Sequence, residues 1–313
     1  MTTPIARAEE ILHAACGERV RTSFTLAPLT TFRIGGPAAL FLEPESMPDL
    51  YAASRAIRET GIPVLVLGKG SNVLVSDAGF SGLVLRLGRG FRWTGRQGTR
   101  LSPGGAVPLP ALAGIALSHG LSGLEFGVAI PASVGGAVAM NAGAHGHQLD
   151  EAVETVEVFG LRDGAVHRVP AVEAGFRYRG SSLPPDGIVI GATMALRPED
   201  RTQIRSRMEE ARDWRRRTQP LAEPNCGSVF TNPPGDHAAR LVDAVGGKAM
   251  RVGAASVSTK HANFIVADAG ARATDVLSLI RRLQMLVSER FGVELEPEVR
   301  LVGEFGEVER AAL

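Results

Sequence analysis

Three short stretches of the 313-residue chain gather side chains able to do chemistry. "FRYRGSSL" sets Arg177, Tyr178 and Arg179 side by side, and a guanidinium can grip a carboxylate at two points. "CGSVFTNP" carries Ser228 directly after a glycine. "LEPEVRLVG" carries Glu296 and Glu298, two positions apart, which on a strand face the same way. Other chemistries are poorly served. No GxSxG elbow makes Ser228 the nucleophile of a hydrolase. His119, His145, His147, His237 and His261 lack the HExxH spacing of a catalytic zinc site. The two cysteines, Cys16 and Cys226, form no CxxC pair, which argues against a disulfide framework and a cysteine zinc site.

Two further stretches are suited to holding a ligand. "LGKGSN" follows an apolar run and offers Gly68, Lys69, Gly70, Ser71 and Asn72 in a turn. Successive backbone N–H groups in such a turn can form a nest for phosphate oxygens, although the spacing is neither a Walker loop nor a full GxGxxG. A plain strand-ending turn fits it equally well. "LEFGVAIPASVGGAVAMNAGAHG" is built almost wholly from small residues. Gly135, Gly136, Asn141 and Gly143 would let the backbone approach a large flat cofactor closely; tight packing between helices would make the same demand.

These residues must be positioned by alternating elements. The spacing predicts an amphipathic N-terminal helix and a second helix over "MPDLYAASRAIRET", ended by Gly61 as a left-handed cap. Strands are predicted at "AALFLEP", "PVLVLG", "NVLVSD" and "LVLRL", and later at "VETVEVFG" and "GIVIGATMAL". A charged helix is expected from about 199 to 217, followed by a linker marked by Pro220 and Pro224. Beyond it lie a helix near "DHAARLVDAVG", a strand at "ANFIVAD", and a long amphipathic helix with Thr274 as its cap, stopping before Gly292. The division that results is 19–88, 89–217 and 218–313.

With 34 basic and 33 acidic residues, no global charge draws the chain to nucleic acid or anionic lipid. The small-residue run is broken by Glu125, Pro131 and glycines, so it does not read as a membrane span. The N-terminus shows no targeting segment. A cytoplasmic protein without nucleic-acid or membrane partners is expected.

"TTFRIGGPA", "LGKGSNVLVSDAGFSGLV", "GLSGLEFGVAIPASVGGAVAMNAGA", "FRYRGSSL", "GSVFTNPPGDHAARLVDAVG", "VSTKHANFIV" and "ELEPEVRLVGE" occur in that order. Together they closely resemble the UDP-N-acetylenolpyruvoylglucosamine reductase family of bacterial peptidoglycan precursor synthesis, over nearly the whole chain. The resemblance implies an α+β fold like that of the vanillyl-alcohol-oxidase-type flavoproteins. Two FAD-binding subdomains, 19–88 and 89–217, would be followed by a substrate domain, 218–313. It implies noncovalent FAD reduced by NADPH, and hydride delivery to the enolpyruvyl ether of a UDP-sugar, giving UDP-N-acetylmuramate. Residues 68 to 72 would hold the FAD pyrophosphate, with Ile130, Pro131, Gly135, Gly136, Asn141 and Gly143 along the cofactor. Arg179 would stabilise the substrate carboxylate, Ser228 would donate the proton and Glu298 would assist, with Glu296 left at the surface. Tyr178, His261 and Asn263 would contact substrate. Thr231 stands where many relatives have lysine, and Cys226 is expected to be a packing residue. The short interval from Arg179 to Ser228 suggests the compact type, without an extra substrate-covering loop, and a monomer is expected. A flavin oxidase of the same fold, acting on a sugar or hydroxy acid, and a non-catalytic nucleotide-binding module are the rival readings. The oxidase would have no use for Ser228 and Glu298 together, and loss of Arg179, Ser228 or Glu298 would favour the binding module, whereas all three are present.

Overall fold

A computed structural model describes residues 2–305. The chain divides into two compact units. The first comprises residues 1–23, 39–69 and 82–214, and the second comprises 24–38, 70–81 and 215–313.

In the first unit, helix α1 spans Pro4–Cys16 and helix α2 spans Met47–Thr60. The Thr3 hydroxyl accepts the Ala6 N–H at 3.2 Å, satisfying an amide the α1 start would otherwise leave open. Gly61, with φ 67°, ends α2 as its spacing predicts. Strands Val20–Thr25, Pro37–Leu42, Phe80–Leu85 and Val64–Val66 form a four-stranded sheet in that order, the last pair parallel. Leu12, Leu40, Leu50, Ile57 and Leu83 fill a core with Phe159. At its edge Asp49 accepts from both terminal guanidinium nitrogens of Arg19, at 2.5 and 2.7 Å.

A second sheet of this unit is antiparallel throughout, in the order Val166–Pro170, Val153–Gly160, Gly187–Ala195, Arg100–Pro103, Thr94–Gln97. Helices α3 (Leu109–Ser118), α4 (Val134–Ala139) and α5 (Arg201–Thr218) contribute to its core. There Leu112, Val134 and Val138 join Val156, Met194, Ile204 and Met208. The small-residue run is thus not a long helix: it holds a 3-10 helix at Glu125–Ala129, the six-residue α4 and a short strand at Gly143–Ala144.

In the second unit, α6 (Ala238–Ala244) and α7 (Ala273–Phe291) contribute to a core with Phe32, Leu74, Phe230 and Val299. Strands Arg251–Val252, Ala255–Val257 and Ile265–Ala267 form an antiparallel sheet. Arg300–Val302 pairs in parallel with Val73–Val75, a contact no local pattern announces. Two expectations are corrected. The α7 cap is not Thr274: Asp77 accepts the N–H groups of Ala273 and Thr274 at 2.7 and 3.1 Å. Glu296 and Glu298 are not on a strand but in the irregular segment before it, with Glu296 exposed and Glu298 half-buried.

Among the described residues no helix is long and apolar enough to cross a membrane.

Candidate active site

Arg179 stands in a tight turn of the first unit. The Arg177 N–H donates to the Gly180 carbonyl at 3.0 Å, and the Gly180 N–H donates back at 3.1 Å. Arg179 occupies the third position of this turn with φ 58°, where glycine or asparagine is the usual occupant. The left-handed conformation costs a side-chain-bearing residue about 1–2 kcal/mol. Strain of this kind persists where surrounding contacts hold it, and it clusters at working sites. The holding contacts are present: Nη1 of Arg179 donates to the Gly143 carbonyl at 3.1 Å. The neighbouring Tyr178 ring lies 5.1 Å from the guanidinium carbon and is 51% exposed, so one face of the turn remains open to a ligand.

The small-residue run explains itself differently at different positions. A Cβ on Gly135 would lie 2.8 Å from the Val189 carbonyl oxygen, and one on Gly143 would lie 2.4 Å from that of His147. Both glycines are therefore required by protein backbone, not by a cofactor alone. Nor does the α4 start offer free donors. The Val134 and Gly135 amides bind the carbonyls of Val107 and Gly105, and the Gly136 amide binds the Ser133 hydroxyl. Ile130 is half-buried and Pro131 exposed. The Asn141 side chain, expected along the cofactor, is fully buried and bonded to protein at both ends.

The turn at 68 to 72 is different. Among the described residues its five backbone N–H groups donate no hydrogen bond, while the carbonyls of Gly70 and Asn72 accept from Thr31 and Arg300. Gly70 has φ 63°, and a Cβ there would sit 2.1 Å from the Leu29 carbonyl oxygen. The turn is thus built against the "TTF" segment with its amides unspent, which fits an anionic pyrophosphate. Lys69 adds a cation whose pKa is lowered, first by burial and then by the nearby charges of Arg92 and Arg86.

In the second unit, the segments that carry Ser228 and Glu298 are joined by backbone pairing. The Glu298 N–H donates to the Val229 carbonyl at 2.7 Å, and the Thr231 N–H donates to the Glu296 carbonyl at 2.9 Å. Asn72 ties this pair to the glycine turn, its side-chain amide donating to the Glu298 carbonyl at 3.0 Å. Ser228 itself is half-buried. Cys226, by contrast, is a buried packing residue: burial, and then the Glu298 charge, push its thiol far above the usual range.

Asn263, expected to touch substrate, is engaged by the chain itself. Its side chain accepts the Phe230 N–H at 2.9 Å and donates to the Phe230 carbonyl at 2.8 Å, imitating a strand partner. It holds the segment that carries Ser228 and is itself buried. His261 is half-buried and accepts the Asn263 N–H on Nδ1 at 3.2 Å. Burial, with Lys248 second, lowers its pKa, so the ring is neutral near pH 7. The Thr231 hydroxyl is 3.4 Å from the Glu296 carbonyl, too short to replace a lysine's reach. Ser181 and Thr31 lie inside "FRYRGSSL" and "TTFRIGGPA", yet nothing in those stretches announces their bonds to Ala139 and Gly70.

Residues 38–170 match an FAD binding domain, and residues 219–302 match the C-terminal domain of UDP-N-acetylenolpyruvoylglucosamine reductase. A Phl p 4 variant described as a glucose oxidase shares the fold at a TM-score of 0.51 and 15% identity, over 62% of this chain and 44% of its own. The chain thus has an α+β fold that includes an FAD binding domain. A reductase from Anaeromyxobacter sp. (strain Fw109-5) is 48% identical over 95% of this chain and 92% of its own. The solved reductase from Thermus caldophilus is 42% identical with a TM-score of 0.80, over 91% of this chain and 99% of its own. The chain belongs to the UDP-N-acetylenolpyruvoylglucosamine reductase family.

Proposed function

We infer that the chain reduces the enolpyruvyl ether of UDP-N-acetylenolpyruvoylglucosamine to UDP-N-acetylmuramate, with NADPH as reductant. Family membership supports the reaction, and one structural observation supports its assignment to residues. The segments that carry Ser228 and Glu298 are joined in one unit by backbone pairing of 229–231 with 296–299.

FAD, when bound, would supply the hydride chemistry that links NADPH to the terminal vinyl carbon. The chain's own residues do the rest. Amides of residues 68 to 72 hold the pyrophosphate. Arg179 holds the substrate carboxylate, into which negative charge spreads as the double bond is reduced, and a fixed cation there lowers the barrier. Ser228 gives its proton to the adjacent carbon, and the basicity of that carbon makes a hydroxyl a sufficient acid. Glu298 polarises Ser228 or helps replace its proton. Tyr178 and the neutral His261 contact the substrate as hydrogen-bond partners. In this reading 19–88 and 89–217 serve FAD and 218–313 serves the substrate, in a cytoplasmic monomer.

The test is anaerobic. NADPH should bleach the oxidised-flavin band, and the enolpyruvyl substrate should restore it without oxygen. Restoration by air alone, with none by the substrate, would identify an oxidase and refute the reading.

A further inference from the structure

Two segments of the first unit are laced together at three points. The Ser181 hydroxyl donates to the Ala139 carbonyl at 2.9 Å, the Asn141 side-chain amide to the Arg177 carbonyl at 3.2 Å, and the Arg179 guanidinium to the Gly143 carbonyl at 3.1 Å. Residues 139, 141 and 143 thus engage residues 177 to 181, the segment containing the Arg179 turn. The central tie is the unusual one. Asn141 is itself left-handed, with φ 41°, and its side chain is 0% exposed. Its oxygen accepts the Asp150 N–H at 3.0 Å, so both ends of the amide are engaged by the chain.

The carbonyl that Asn141 holds is the one that defines the turn. Arg177 O already accepts the Gly180 N–H at 3.1 Å, and the Asn141 amide takes its second lone pair. That carbonyl precedes the left-handed Arg179 by two residues. A left-handed arginine relaxes unless its surroundings over-determine the backbone. Asparagine meets both local needs, because it tolerates positive φ and presents a donor and an acceptor together.

We propose that Asn141 is a positioning residue for Arg179, clamping the Arg177–Gly180 turn so that the guanidinium is delivered in one orientation. The proposal rests on the reading that Arg179 holds the substrate carboxylate. Asn141→Gly keeps the backbone conformation and removes both side-chain bonds; Asn141→Asp keeps the acceptor and sets a carboxylate against the Arg177 carbonyl.

Both variants should retain FAD and be reduced by NADPH at the parental rate within about twofold, while reoxidation by substrate slows about 10–100-fold, as for other supporting-shell losses. In an Arg179→Ala background, Asn141→Gly should change reoxidation by less than about twofold, since residues acting through one group do not add. Parental reoxidation in both single variants would overturn the proposal. So would a full additional loss in the double variant, loss of FAD, or failure of both variants to fold. If Arg179→Ala alone reoxidises like the parent, the underlying reading of Arg179 is what fails.

Discussion

A single backbone angle separates two tasks at Arg179. Its φ of 58° is a conformation that glycine adopts without steric cost, so Arg179→Gly relieves about 1–2 kcal/mol of strain. Glycine also gives the unfolded chain more freedom, worth roughly 0.5–1 kcal/mol in the opposite direction. The variant should therefore unfold within about 1 kcal/mol of the parent and remain yellow, yet lose turnover by at least about 10²-fold, the effect of removing one oriented donor. Arg179→Lys should also be impaired, because a point charge cannot reproduce the planar fork. Thermal unfolding and steady-state turnover on the same preparations check this. A glycine variant that turns over normally would show that Arg179 does not hold the substrate carboxylate. None of this geometry was legible in "FRYRGSSL". The motif marked the arginine, whereas its conformation depends on Asn141 and Gly143, residues far away in the chain.

At the scale of elements, local pattern and long-range contact made separate contributions. Helix α2 ends at Gly61 and α7 at Gly292 as their glycines predict, because a left-handed cap is a local property. The start of α7 was misread for the converse reason. Asp275 accepts the Arg272 N–H locally, but the Ala273 and Thr274 amides are met by Asp77, almost 200 residues upstream (at separations of 196 and 197), which no window around Thr274 contains. A carboxylate here both caps and complements the helix dipole. Asp77→Ala should accordingly destabilise the second unit by about 1–2 kcal/mol, lowering the denaturation midpoint without changing the slope. An unchanged midpoint would mean that water or Asp275 replaces the cap. The same limit explains Glu298. Its motif was readable, but its setting comes from Val229 and Asn72, in distant parts of the chain.

On the scale of the whole molecule, the assigned residues are distributed over both units. Arg179 belongs to the first, Ser228 and Glu298 to the second, and the glycine turn is where the chain passes from one to the other. The second unit recruits 24–38 and 70–81, segments that a reading in consecutive blocks assigns to the first domain. Motif order along a chain cannot reveal such exchange, because it follows from pairings such as Val73–Val75 with Arg300–Val302. Function was more legible than architecture, since seven motifs in order specify a family even when their contacts are unknown.

The proton-donor role of Ser228 is the most exposed part of the mechanism, and the two half-reactions isolate it. Protonation follows flavin reduction, so Ser228→Ala should leave anaerobic reduction by NADPH nearly unchanged. Reoxidation by the enolpyruvyl substrate should slow by about 10²–10⁴-fold, the usual contribution of a positioned acid. Stopped-flow absorbance at the oxidised-flavin band follows each step separately. An alanine variant reoxidised by substrate as fast as the parent would contradict the assignment, and slowing of both half-reactions together would reduce Ser228 to a structural residue.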